Sequence, residues 1–412
     1  MAGNLGDNVR KYRRVAGWSQ EQLAEAAGLA TSTVAKVERD GDVKIATLHL
    51  LARALDVTTS ALFAASVPQP VRNEEGTRVQ LIELRQAITP PIGLFDSTPT
   101  TEITIEALAG ARRRIGDAHT AYHADRYDSI ALELPGILRS MQRQSEIADD
   151  LRAEVISVRV GGLYLAGKYL TQVRQYDLAY HALSEGIREA RALDRKLFAA
   201  TGVVGMCWLL LRQGRFDECE RLASVTADAI EPQVSKATPG HLAVWGELLQ
   251  RVAAAAVRNN KPDVGREARR LAVSAASAID AEHTDYRTHW GSFGPLTAAM
   301  KTVEDLSIVG DHRSVLRHVD DGPISSIKAI KRLGRPSPNT WNRHRLDVAR
   351  AHAALGDHRE AMDELTGIRR ESPEWVKHQG MAREVMEDIL HGRKRTLTSD
   401  MREMASYLHV AG

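Results

Sequence analysis

Thr31, Ser32, Thr33 and Lys36 are the side chains whose types and spacing most directly describe a chemistry. They lie within six residues, and a helical period leaves them facing out while Val34 and Val37 point inward. Three hydroxyls and one ammonium on an exposed helical face suit contacts to base edges in a major groove and to phosphate oxygens. Hydroxyls discriminate bases weakly. Lys36 is therefore expected to carry most direct readout, toward guanine O6 and N7, with DNA shape supplying the rest.

Such a face must be held out by its neighbours. Ser19 is a good N-cap, and Gln22 three positions later completes a capping-box pattern. Leu23, Ala24 and Ala27 give that helix one apolar side, and Gly28 supplies the left-handed corner between two helices. The second helix runs from about Thr31 to Arg39. Ahead of the pair, LGDNVRKYRRVAGW reads as a first helix with Leu5, Val9 and Tyr12 on one side. Behind it, IATLHLLARALDVTTSALF reads as two more, through Leu48, Leu51, Ala52 and Leu55, then Leu62 and Phe63.

In order and spacing, Leu5-Gly6, Arg13, Gly17-Trp18-Ser19-Gln20, Leu23-Ala24, Gly28, Val34, Val37-Glu38-Arg39 and Leu51-Ala52 through Leu55 resemble the DNA-binding domain of the lambda-repressor/Cro (XRE) family. The resemblance covers residues 5–63 and implies a compact five-helix fold. It implies that Gln20 clasps a phosphate, that Thr31, Ser32 and Lys36 occupy base-reading positions, and that Thr33 and Lys44 meet the DNA backbone. It also implies an internal ion pair between Arg13 and Glu38, which keeps Glu38 from repelling DNA. Two features depart from the family: the reading face holds hydroxyls rather than Gln, Asn or Arg, and Ala30 fills the N-cap slot of the second helix. Either Thr31 or Ser32 caps instead, or the helix opens with an orphan donor that costs about 1 kcal/mol.

One small domain leaves most of the 412 residues unexplained, enough for two further domains or one long repeat array. Net charge is only +2, and residues 1–66 are nearly balanced. Non-specific DNA affinity is thus expected to be modest, with strong binding requiring a dimer on two half-sites. Cys207 and Cys219 make neither a disulfide framework nor a zinc motif, which fits a reduced, cytoplasmic protein. The start MAGNLGDNVRKYRR lacks the apolar run of a signal peptide. The most apolar stretch, VVGMCWLLL, stops at Arg212 and is too short to span a bilayer, so no membrane partner is expected.

The first domain is expected to end near Ser66. Residues 67–103 read as a linker containing one helix, roughly Val79–Ile88. From 104 to 412 a weak repeat emerges, in which a turn opens a helix at Tyr127, Tyr176, Phe216, Pro262, His312 and His358. The copy ARAHAALGDHREAMDEL, with Ala349, Ala353 and Ala361 and a corner at Gly356, resembles a tetratricopeptide repeat. The fold class expected for the chain is therefore all-α: a five-helix DNA-binding domain followed by a TPR-like α-solenoid. The first helix of each pair would line a groove. Trp208, Trp245, Trp290 and Trp341 are placed in those helices, with Arg159, Tyr164, Lys168, Arg212, Arg251 and Arg345. Aromatics and arginines suit a peptide or small anionic ligand, and buried aromatics that pack repeats would look the same in sequence.

Other motifs are incomplete. GLYLAGK at 162–168 has the opening of a phosphate-binding loop, but Tyr169 stands where Ser or Thr should hold magnesium, and no strand precedes it. It reads instead as small residues at a helix contact. His119 and His123 share a helix face without a third ligand and read as a surface pair, so no metal or cofactor is expected. No nucleophile motif points to an enzyme. The architecture as a whole resembles RRNPP-type quorum-sensing regulators, in which a TPR-like domain senses a signalling peptide. Those proteins grip the peptide backbone with groove asparagines, whereas here Asn342 stands almost alone. The expectation is a homodimeric, cytoplasmic regulator of double-stranded DNA with a signalling peptide or small-molecule effector. The alternative is a protein-interaction adaptor or antitoxin-like partner whose first domain does not act on DNA.

Overall fold

A computed structural model describes residues 5–39, 45–57, 62, 75–91, 103–142, 149–233, 235–285, 290–392 and 397–410. Contacts divide the chain into two compact units, Met1–Glu74 and Glu75–Val410. Among the described residues there is no strand; His283 and Phe293 form an isolated antiparallel bridge.

The first unit contains α1 (Leu5–Val15), α2 (Gln20–Ala27), α3 (Thr31–Val37) and α4 (Ile45–Ala54). The capping box is present: Gln22 N–H donates to Ser19 Oγ at 3.2 Å, and Ser19 N–H donates to Gln22 Oε1 at 2.7 Å. Gly28 is left-handed at φ 64°. Val9, Leu23, Val34, Val37, Leu51 and Leu62 are wholly buried in one cluster. An isolated helix as short as α3 is unstable in water. Burying Val34 and Val37, about 1.5–3 kcal/mol each, is what holds it. Gly6 explains the close seating of α1, since a Cβ there would lie 2.6 Å from the Val37 carbonyl oxygen. The expected fifth helix lies outside the described residues apart from Leu62, whose carbonyl accepts from Asn8 Nδ2 at 2.9 Å.

The second unit opens with α5 (Glu75–Ile88), whose Leu81, Leu84, Ala87 and Ile88 join the unit's main core. The segment placed in the linker by sequence thus packs as part of this second unit. Helix pairs follow: α6 (Ile105–His123) with α7 (Tyr127–Gln142), α8 (Asp149–Gln172) with α9 (Tyr176–Ala192), and α10 (Lys196–Arg212) with α11 (Phe216–Ala229). Next come α12 (Pro239–Arg258) with α13 (Pro262–Ile279), and α14 (Pro295–Ile308) with α15 (His312–Asp321). The short α16 (Ile327–Leu333) precedes α17 (Pro338–Leu355) and α18 (His358–Glu371), and α19 (Pro373–Lys377), α20 (Gly380–Gly392) and α21 (Ser399–Tyr407) end the unit.

The corner inside each of the six pairs has one solution. Asp125, Arg174, Gly214, Asn260, Gly310 and Gly356 are all left-handed, with φ from 55° to 90°. The next N–H in each case returns to a carbonyl five residues back, as from Gln175 to Leu170 at 2.8 Å and from Asp357 to His352 at 2.9 Å. This is the helix-ending bond of a Schellman motif. The anchors legible in sequence, Tyr127 through His358, each stand two positions after the left-handed residue. Among its described residues this region is mainly helical and repeat-like.

Two expectations need correction. Trp290 is not in a first helix; it precedes α14, which begins only at Pro295, after the bend-forming Gly291 and Gly294. His119 and His123 are not on the surface but 5 % exposed, because α6 turns that face into the core.

Candidate nucleic-acid interface and groove residues

α3 presents the side chains expected of a reading face. Thr31, Ser32 and Lys36 are exposed and Thr33 is half-buried, while Val34 and Val37 are at 0 %. Ala30 is the N-cap and makes no side-chain cap bond, so neither Thr31 nor Ser32 has taken over that role. Lys44 lies outside the described residues.

Glu38, directly after α3, is 2 % exposed. Arg13 Nε reaches its Oε1 at 2.6 Å and Arg13 Nη2 its Oε2 at 3.1 Å, a bidentate pair. Arg10 adds a contact to the carboxylate at 3.5 Å and donates to the Glu38 carbonyl at 3.0 Å. Burial pushes the Glu38 carboxyl up, but hydrogen bonds from Arg13 and Gln20 and the charges of Arg13 and Arg10 outweigh it. The group therefore sits below its usual range. The carboxylate beside the exposed face of α3 is thereby ionised and charge-compensated. Gln20, half-buried at the start of α2, donates its Nε2 to Glu38 Oε2 at 2.8 Å. Sequence did not reveal that contact, which spans 18 positions.

The ten groove candidates do not form one surface. Arg159 is paired with Glu189 and Glu185, and Arg345 with Glu364 and Glu371. Tyr164 is core, with its hydroxyl on the Phe198 carbonyl at 3.0 Å. Trp245 is buried, Arg251 is half-buried, and Trp341 lies under the guanidinium of Arg335 at 4.9 Å. A groove of about 580 Å³ over α9, α10 and α11 is floored by Ile187, Val203, Met206 and Leu222 and contains none of the ten.

Four candidates do meet. Lys168, 1 % exposed, donates Nζ to the Trp290 carbonyl at 2.5 Å and lies 4.8 Å from that ring's centroid. Trp290 meets Trp208 edge-on at 6.3 Å, and Arg212 lies 5.5 Å from the Trp208 ring. Glu247, absent from the sequence reading, takes the N–H groups of Trp290 at 3.1 Å and Gly291 at 3.0 Å. A Cβ at Gly205 would collide with the Trp290 ring, so that glycine is the seat into which the indole fits. Burial lowers the Lys168 ammonium to about 7, against a pull upward from Glu247. Lys168 is thus an internal tie, and GLYLAGK is a helix contact: Gly167 faces Leu183 and Gly162 faces Leu138. Cys207 and Cys219 are free and buried. Among the described residues, no group of three or more His, Cys, Asp and Glu could hold a metal, and no helix is long and apolar enough to cross a membrane.

A helix-turn-helix family model matches residues 9–62. Over 73 residues, 18% of this chain and 83% of the relative, the sequence is 41% identical to Control protein C.SmaI of Serratia marcescens. No solved structure matches the chain. The match spans the helices around α3, which carries the exposed hydroxyls and Lys36, and on these grounds the chain belongs to the XRE-type helix-turn-helix family of DNA-binding transcriptional regulators.

Proposed function

We propose that this regulator acts as a homodimer on a pseudo-palindromic operator and that an effector held by the second unit controls it. Each α3 enters a major groove, with half-site centres about 34 Å apart or a multiple of that. The observation that carries the reading is α3 itself: its hydroxyls and one ammonium face out, its two valines are fully buried, and the adjacent acid is sealed by Arg13. In this reading Thr31, Ser32 and Lys36 meet base edges and Thr33 and Lys44 meet the backbone. Gln20 keeps a second amide N–H for a phosphate, because a primary amide carries two donors and Glu38 takes one. The second unit dimerises, and an effector shifts regulation only by binding one arrangement of the two readers better than the other.

The test begins with genomic footprinting of the full chain to obtain the operator. Mobility shift with Lys36→Ala is then expected to weaken operator binding about 5- to 150-fold, the equivalent of about 1–3 kcal/mol for one good base contact. Preference should relax at one base pair per half-site. Unchanged affinity and preference would reject the assigned face. Recovery of a stoichiometric protein partner with no enriched DNA would favour an adaptor role instead.

A further inference from the structure

We propose that the start of α20, together with Arg174, Arg212, Arg343 and Arg383, forms a binding site for a phosphate-type dianion carried on a small molecule. This names the chemical class of the effector and takes its regulatory meaning from the ligand-controlled reading above.

Four guanidinium groups from four helix ends or faces converge on one five-residue strip, Lys377–Met381. Arg212, at the end of α10, donates Nη2 to Gln379 Oε1 at 3.3 Å. Arg174, in the corner after α8, approaches Gly380 so closely that a Cβ there would lie 3.2 Å from its Nη2. Arg343 of α17 touches Met381 Sδ at 2.7 Å, and Arg383 of α20, 8 % exposed, donates to the Lys377 carbonyl at 2.8 Å. Glu387 of α20 pulls on Arg383 without forming an ion pair, and the other nearby carboxylates are engaged elsewhere. Glu304 and Asp347 pair with Arg343, Asp347 through the same Nη1 that meets Met381, so Arg343 is the compensated member of the four; Glu374 pairs with Lys377, and Glu384 pairs with Arg350. Among the described residues, no carboxylate reaches ion-pair distance of Arg174, Arg212 or Arg383, and no carboxylate is a leading contributor to the field at Arg212.

The sign of the local field sharpens the point. Cations belong at helix C-termini, which accounts for Arg174 and Arg212 taken singly. The strip they converge on joins the end of the one-turn α19, whose Lys377 carbonyl Arg383 caps, to the opposite pole of a longer helix. It leads into the first turn of α20, a 13-residue helix whose opening N–H groups have no partner within it. Positive charge at a positive pole is costly unless an anion lies between, and an oxyanion at a helix start beside arginines is a favourable arrangement. The mutual repulsion registers in the side chains. Burial holds Arg212 below its usual value, with Arg343 and Arg174 working against the pull of Tyr176. Burial and Arg174 bring Arg383 to about 10, against the pull of Glu387 and Glu384. His378 is held near 4 by burial, with Glu374 pulling it up and Arg174, Arg383 and Lys377 pushing it down. Two or more uncompensated guanidiniums and a helix start match the charge and oxygen count of a phosphate better than those of one carboxylate.

The experiment is calorimetric titration of the full-length chain with inorganic pyrophosphate and, at matched ionic strength, with succinate. The expected result is saturable pyrophosphate binding at least about tenfold tighter than succinate, weakened at least about tenfold by Arg212→Met and by Arg174→Met, since each deletes a charge-assisted contact. A second readout keeps the idea testable if a variant is damaged. Without added anion, Arg212→Met should melt higher than the parent, because it removes a buried repulsion, and pyrophosphate should no longer raise its Tm. No saturable heat, equal affinity for succinate, or pyrophosphate affinity unchanged in both variants would overturn the site. Binding that leaves operator affinity untouched would sustain the site and sink ligand control. Operator binding controlled by some other effector, with no pyrophosphate heat, would sink the site alone.

Discussion

Ala30 leaves the start of α3 without a side-chain cap, and the weakness is local. Its methyl group cannot accept from the first turn of α3, so two amides open the helix without a side-chain partner. Ala30→Ser is expected to add about 1 kcal/mol to α3, visible as roughly fivefold slower hydrogen exchange across residues 34–38. Ala30 already has the extended backbone of a capping residue, so an unchanged rate would mean that the new hydroxyl stays on water and leaves the first turn uncapped. Glu38 gives a residue-scale test of another kind. Its folded pKa lies below the unfolded one, so its contribution is complete above about 4.3 and is lost as pH falls through the depressed folded value. Acid should therefore loosen α3 in the parent, and Glu38→Gln should flatten that dependence while lowering stability at pH 7 by leaving Arg13 without its counter-charge. Hydrogen exchange of α3 against pH in the two proteins checks both halves. Sequence disclosed the Ser19–Gln22 box because it closes over three positions. It did not disclose that Gln20 is shared with Glu38, because that contact needs the turn between α2 and α3 to be already folded.

At the scale of elements, the repeat is carried less by side-chain identity than by one backbone corner. Glycine, asparagine, aspartate and arginine all occupy the left-handed position, which is why an alignment by residue type shows only a faint period. What recurs is the residue two positions on, where the next helix starts, and this part could be read from the sequence. A non-glycine residue pays about 1–2 kcal/mol for left-handed backbone. Gly356→Ala, at φ 90°, is expected to destabilise the α17–α18 pair by about that amount, measured as a fall in Tm together with faster exchange at Asp357 N–H. Asn260→Gly, at the equivalent corner between α12 and α13, should be neutral or slightly stabilising. Equal losses from both substitutions would contradict a shared corner. Trp290 marks the limit of this reading. Its type and spacing placed it on a helix, yet it belongs to the irregular run before α14, keyed against Gly205 and tied by Lys168 and Glu247. Those partners lie 122 and 43 positions away and leave no periodic trace.

At the scale of the second unit, the array is bound end to end by one carboxylate. Asp125, in the first corner, accepts from Trp375 N–H at 2.6 Å and Glu374 N–H at 2.7 Å, joining residues 249 and 250 positions apart. Tyr127 and His378 face each other beside it at 6.4 Å. The same latch places Gln379 and Gly380 within reach of Arg212 and Arg174, so the proposed anion site depends on it. Burial raises the Asp125 carboxyl to about 6; the two N–H bonds pull it down, and Glu374 pushes it up. A folded pKa above the unfolded value near 3.9 means that the native state binds the extra proton between about pH 4 and 6, so this group's contribution falls as pH rises through that window. Asp125→Asn does not titrate and offers only one oxygen to two amides. Stability relative to the parent should therefore shift in the variant's favour by about 1 kcal/mol from pH 5 to pH 7, a figure reduced for the solvent that reaches the group. At pH 5 the variant should be the less stable protein, with faster proteolysis near residues 373–380, because one buried amide is left unpaired at a cost of about 1–3 kcal/mol. Denaturant melts of the two proteins at pH 5, 6 and 7 decide the matter: parallel curves would mean that the two ends are held by apolar packing and that Asp125 is incidental to the closure.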